Sequence, residues 1–276
     1  MEQFSFILLV SRDMKLELFC LTLLFLPLLG DEIKGGDKVS SAKYPFIARL
    51  QIGAHSCTGS LVTKNLILTA KHCFYTKSGK LYSRHGTATF HDYSKKIKEK
   101  GQFKVNMELF KDDFDDSDLA LAKLSQDIED ITPVRVSQAR INPGKTYTGV
   151  GYGMHGFNQS DGHLRDIKLE ILSVRGNWIK TKLGKSNEGP CAGDSGGPLL
   201  ARDSYGWFVV AALNGHGYDC RENKLSDKHP DGDIWSSVRV IEDDIEDYVD
   251  EDIYGDDNDD YFDDDDFFYY DDFYSE

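Results

Sequence analysis

Ser195 stands in the run CAGDSGGPLL (191–200), behind Asp194 and among glycines at 193, 196 and 197. A serine hydroxyl is a weak nucleophile. Acyl transfer through it needs a base to take the proton, an acid to orient the base, and donors aimed at the developing oxyanion. The chain offers a candidate for each. LVTKNLILTAKHC places His72 at the end of an apolar strand pair, beside Cys73. DDSDLALAKL places Asp118 immediately before an alternating strand. The glycines around Ser195 permit a tight turn whose N–H groups could face a substrate carbonyl. Asp112, Asp113, Asp115 and Asp116 crowd the same loop as Asp118. Only Asp118 adjoins the apolar alternation, where it can be buried.

The elements that must hold these residues are short. FIARLQI, GSLVT, LILTA, LALAKL, YTGVGY, IKLEIL, PLLAR and WFVVAAL are separated by Gly, Asn, Asp or Ser. Apolar runs of that length and spacing predict an antiparallel all-β domain. Two stretches look helical: one turn around TAKHC, and VRVIEDDIEDYVDEDI, where Val238, Ile241, Ile245, Tyr248 and Val249 recur at three to four residues. KKIKEKGQFK reads as a basic surface loop or hairpin. The roughly 220 residues from Ile33 to Ile253 suffice for one large domain or two small ones sharing an interface.

The ends differ from this middle. MKLELFCLTLLFLPLLG (14–30) has the layout of a secretory signal peptide, with residues 1–13 as an upstream extension. Its apolar run is shorter than the roughly 20 residues a membrane span needs. Of the 276 residues, the last 23 (254–276) hold ten Asp, one Glu and no basic residue, within a formal net charge of −15. That acidic-aromatic tail is expected to be disordered, to repel nucleic acid and to serve as a solubilising segment, with docking on a basic surface as the alternative. Without Cys20, four cysteines remain, an even set suited to two disulfides in an oxidising compartment. No C-x-x-C or H-E-x-x-H spacing is present, so neither a metal nor another cofactor is expected.

GDSGGPLL, LTAKHC and SDLALAKL, in this order, resemble the chymotrypsin-like (trypsin-family, S1-type) secreted serine endopeptidases over about residues 33–253. The resemblance implies two antiparallel six-stranded β-barrels with the catalytic site between them, and a short C-terminal helix. It implies His72 as general base and then acid, Asp118 as its orienting acid, Ser195 as nucleophile, and the Gly193 and Ser195 N–H groups as the oxyanion hole. It also implies the pairs Cys57–Cys73 and Cys191–Cys220. Lys71 departs from the family's usual alanine.

Members mature by cleavage before an Ile-Val-Gly-Gly-like start, whose new ammonium pairs with the aspartate preceding the nucleophile. Here those residues would be Ile33 and Asp194, with Lys34 in an ordinarily apolar position. Asp31-Glu32 would be a dipeptide propeptide like that of granule-stored members. Gly189 takes the place where trypsin-like members carry aspartate at the pocket floor. Asn214, Gly215 and His216 replace the usual Ser-Trp-Gly, and Asp233 falls near the last pocket wall. A small or apolar and a basic substrate side chain both remain open. His55 matches a common family histidine whose role is expected to be packing, and Asn158 opens an N-glycosylation sequon. The expected product is a secreted or granule-stored monomer acting on proteins or peptides, without membrane attachment, with a protein inhibitor as a further class of partner. The alternative is a catalytically impaired homologue serving as a binding or cofactor protein.

Overall fold

In the computed structural model, residues 34–91, 102–114, 116–137 and 139–254 are described. Twelve strands build two closed barrels. The first comprises β1 (Ile47–Ile52), β2 (His55–Leu61), β3 (Leu66–Ala70), β4 (His85–His91), β5 (Gln102–Lys111) and β6 (Leu119–Leu124). The second comprises β7 (Thr146–Gly151), β8 (Arg165–Arg175), β9 (Trp178–Thr181), β10 (Pro198–Asp203), β11 (Gly206–Gly215) and β12 (Asp233–Ser237). Around the first barrel the order is β1-β2-β3-β6-β5-β4, closed by β4 on β1. Around the second it is β7-β8-β9-β12-β11-β10, closed by β10 on β7. The two halves therefore share one strand order.

Alternation drives the strands as read from sequence. Leu50 and Ile52 point inward from β1 while Arg49 and Gln51 face out, and Val105, Met107 and Leu109 do the same on β5. The first core runs on across the junction into Val150, Tyr152, Leu200 and Val209. Leu169, Ile171, Ile179, Leu199, Val210, Leu213 and Trp235 fill the second barrel. The buried Trp235 indole N–H is satisfied by Thr181 Oγ1 at 2.9 Å. Both disulfides pair as the resemblance implies, Cys57–Cys73 and Cys191–Cys220. Each closes a loop worth about 3–4 kcal/mol in the chain-entropy account.

The C-terminal helical stretch divides in two. Val238–Val240 is a 3₁₀ turn capped by Ser237, and α1 runs over Glu242–Tyr254. The helix thus enters the segment read as tail by one residue, within the usual uncertainty of a helix end. Its first turn carries Glu242, Asp243 and Asp244, the sign its dipole favours there. Asp244 pairs with Lys111, and the Tyr248 hydroxyl donates to Asn65 Oδ1 at 3.1 Å, fixing the helix to the first barrel. Among the described residues no helix is long and apolar enough to cross a membrane. The signal-peptide and propeptide readings, Ile33, most of the basic loop and the tail beyond Tyr254 lie outside the described residues.

Candidate active site

His72 and Asp118 are brought together by register. β3 and β6 pair antiparallel with Ala70 opposite Leu119, so the chain leaving β3 and the chain entering β6 emerge side by side. A 3₁₀ turn, Lys71–Cys73, then carries His72, with Cys73 tethered to Cys57 on β2. Asp118 Oδ2 lies 2.5 Å from His72 Nδ1, and Oδ1 accepts the His72 N–H at 2.8 Å. The Lys71 N–H reaches the Asp118 carbonyl at 3.2 Å, and Asp118 N–H donates to Ser236 Oγ at 3.3 Å. The Asp118 side chain is 15% exposed and that of His72 42%, so the acid is shielded while the imidazole reaches solvent.

Two of the neighbouring acids are engaged elsewhere. Asp112 accepts from the Tyr75 hydroxyl at 2.5 Å, and its carbonyl takes Lys71 Nζ at 2.7 Å. Asp116 faces the Trp178 indole at 3.4 Å. Of the described acids in the loop, Asp118 is the one on the histidine.

Ser195 stands in the turn before β10 of the other barrel, and its carbonyl lies 3.9 Å from the Sγ of Cys73, the residue after His72. The same carbonyl accepts the Thr58 N–H at 2.9 Å, joining the serine turn to β2. Gly196 has φ +77°, and a Cβ there would lie 2.1 Å from Thr69 Oγ1, so this turn has both a left-handed backbone and no room. Asp194, Gly196 and Gly197 spend their N–H groups on the carbonyls of Cys191, Leu213 and Asp194. Among the described residues no protein acceptor takes the Gly193 or Ser195 N–H. Two adjacent donors are thus left for an outside oxygen. Also among the described residues, no hydrogen bond joins Ser195 Oγ to the imidazole; such bonds are often long without substrate and tighten when it binds.

Asp194 is buried behind the serine. Its two oxygens accept from Gly153 N–H at 2.7 Å and Cys191 N–H at 2.8 Å. Glycines at 151 and 153 make the space, since a Cβ on either would stand 2.1–2.4 Å from the carboxylate. Burial pushes the Asp194 carboxyl up to about 6, against the opposing pull of those two N–H groups and of Arg165.

The Asp233 carboxylate sits on the Gly189 α-carbon, with Oδ2 3.0 Å from where a Cβ would be. Oδ1 accepts from Gly217 N–H at 2.8 Å and Oδ2 from Thr181 Oγ1 at 3.2 Å. Burial pushes this carboxyl up to about 7, and the charge of Asp194 adds to that rise.

The family model described as Trypsin matches residues 33–228. Trypsin alpha of Drosophila melanogaster is 27% identical over 213 residues, covering 71% of this chain and 81% of that protein. Trypsin iota of the same species is 27% identical over 236 residues, covering 76% and 91%. Trypsin delta of Drosophila erecta is 29% identical over 195 residues, covering 64% and 76%. The chain belongs to the trypsin family.

Against that family's pattern the cleft edge is altered. Asn214 and His216 are half-buried at the end of β11, and among the described residues Asn214 makes no hydrogen bond to Asp118. His216 Nδ1 is buried without a partner, and burial lowers its imidazole's affinity for a proton. His55 is held by packing: Nδ1 lies 3.2 Å from the Cys73 carbonyl, and the ring stacks on Tyr82 at 4.5 Å. Asn158 is exposed in a turn, with φ 52° and its amide nitrogen 3.5 Å from the Arg221 carbonyl. Sequence reasoning missed Thr58, whose Oγ1 donates to the Gly193 carbonyl at 2.9 Å and accepts the Tyr152 N–H at 3.1 Å, bracing the serine turn. It also missed Gly151, Gly153 and His229. The glycine spacing in GVGYG was the available signal for the first two.

Proposed function

We propose that this trypsin-family protein is a secreted serine endopeptidase working through an acyl-enzyme. His72 takes the Ser195 proton as Oγ attacks the scissile carbonyl carbon, then returns it to the leaving amine. Asp118 holds the imidazole with Nδ1–H toward itself and stabilises the imidazolium. The free N–H groups of Gly193 and Ser195 receive the oxyanion; losing one such donor costs on the order of 100- to 1000-fold in rate. Water then attacks the acyl ester with His72 as base, releasing the second product and restoring Ser195. The observation that carries this reading is the His72–Asp118 pair at 2.5 Å, beside a serine turn whose two N–H groups are unspent.

Activation follows from Asp194. A buried carboxylate held by two backbone N–H groups and by no ammonium among the described residues calls for a cation. The ammonium freed by cleavage before Ile33 would supply it. The pocket reading follows from Asp233: a carboxylate displaced from position 189 but resting against it favours a basic substrate side chain by direct charge pairing. The relatives' name, trypsin, is in keeping with that pocket reading.

The test is digestion of a denatured protein by chain beginning at Ile33, with the new termini sequenced. Cleavage after Lys or Arg that disappears in Asp118→Asn is the expected result. Cleavage after small or apolar residues would leave the peptidase reading and remove Asp233 from the pocket. Binding without cleavage would make the protein an impaired homologue.

A further inference from the structure

Gly215 ends β11 opposite Ile234 of β12, just beyond an irregularity at Leu213. It borders the serine turn, since Leu213 exchanges backbone hydrogen bonds with Gly196 at 2.8 Å and Gly197 at 2.9 Å. Its φ lies outside the left-handed region, so the backbone there does not require glycine. Space does. A Cβ at 215 would lie 3.0 Å from His229 Cδ2 and 3.2 Å from Nε2. The imidazole of His229 therefore occupies the volume into which a side chain from position 215 would project.

The ring is delivered by the long loop between Cys220 and Asp233, and that loop is tied to the strand end. Ser226 N–H donates to the Gly217 carbonyl at 2.8 Å, Ser226 Oγ accepts from His229 N–H at 3.4 Å, and Gly232 N–H reaches the His229 carbonyl at 3.4 Å. Gly217 is packed so closely that a Cβ would meet the His229 carbonyl at 3.0 Å and the Gly232 backbone at 2.8 Å. His229 is half-buried, and burial together with Lys180 and Lys228 lowers its proton affinity, opposed by Asp231.

We infer that His229 is a specificity-determining residue: a loop-borne ring that fills the volume left by Gly215 and packs against substrate side chains upstream of the scissile bond. This rests on the peptidase reading above. A glycine and a histidine fourteen positions later in the chain come together at the end of β11.

The inference is tested on Ile33-started protein with a fluorophosphonate titrating competent Ser195 in each preparation. Rates are then compared on a positional library of tetrapeptide coumarin amides and on a single-residue thioester with the same side chain at the cleaved bond. In His229→Ala, the discrimination among upstream residues, expressed relative to the thioester rate, should flatten by about tenfold. Gly215→Trp combined with His229→Ala should restore discrimination, because the indole then has the vacated space. Gly215→Trp alone should lower the fraction of competent sites, because its side chain meets the His229 ring. An unchanged upstream preference in His229→Ala, with titration confirming competent sites, overturns the inference and leaves the peptidase reading standing. Failure of the fluorophosphonate to label any preparation overturns both together.

Discussion

The two barrels share a strand order and divide the work unequally. The first contributes His72 and Asp118, side chains at the ends of adjacent paired strands, one of them open to solvent. The second contributes a glycine-rich turn and two buried carboxylates, Asp194 and Asp233, both pushed up by burial. On the proposed reading, the difference teaches that proton handling can be built from neighbouring strand ends and one disulfide. Activation and selectivity, on the same reading, rest on charge buried without full compensation, and that side carries most of the departures from the family's pattern, Lys71 lying on the other.

The comparison breaks most visibly at the reacting groups. Ser195→Ala or His72→Ala should lower kcat by on the order of 10⁴–10⁶-fold, and Asp118→Asn by about 10⁴, measured on a peptide amide. The fold should survive, because these side chains lie at the cleft rather than in either core. Gly196→Ala should do the reverse, losing stability and activity together. Its Cβ would meet Thr69 Oγ1 at 2.1 Å and the Ala70 backbone nitrogen at 2.6 Å, on a backbone at φ +77°. A cost of about 3 kcal/mol is expected from strain and overpacking, read as a lower denaturant midpoint.

A pH titration sharpens the same contrast. For Asp194 and Asp233 the folded protein holds protons more tightly than the unfolded chain, so this part of the stability is fullest below about pH 4 and is lost as pH rises through about 6 for Asp194 and about 7 for Asp233. Uncleaved protein should therefore lose stability between pH 4 and 7, by about 3 kcal/mol for Asp194 on one-to-one conversion of its shift. Asp194→Asn should flatten that slope. So should exposure of the Ile33 ammonium, which offsets the burial. A slope unchanged by either would remove Asp194 from the activation account.

Smaller effects follow in the pocket and at the helix. Asp233→Asn should reduce preference for basic over apolar substrate side chains by about tenfold to a hundredfold. In the parent protein that preference should strengthen as pH rises through about 7, when the carboxyl loses its proton. Tyr248→Phe removes one hydroxyl bond to Asn65 and should cost about 1 kcal/mol, with no change in selectivity.

What the chain's sequence made legible follows the same division. The strands β1, β3 and β6 were visible as short apolar runs because each buries a local pattern. His72 and Asp118 stood out because each adjoins such a run. Asp233 could be aligned to the pocket only loosely, across a long loop; its contact with Gly189 depends on how β12 and the 181–189 segment pack. His229 was invisible for a stronger reason. Its meaning lies in the volume that Gly215 leaves for its ring, and an absence of side chain has no local signature.

The most direct test is labelling of Ser195 by a fluorophosphonate in chain beginning at Ile33, in the uncleaved chain, and in Ile33-started His72→Ala. The account predicts rapid labelling of the first and slow or no labelling of the other two. Equal labelling of all three would show a serine whose reactivity owes nothing to His72 or to the freed terminus, and would contradict it.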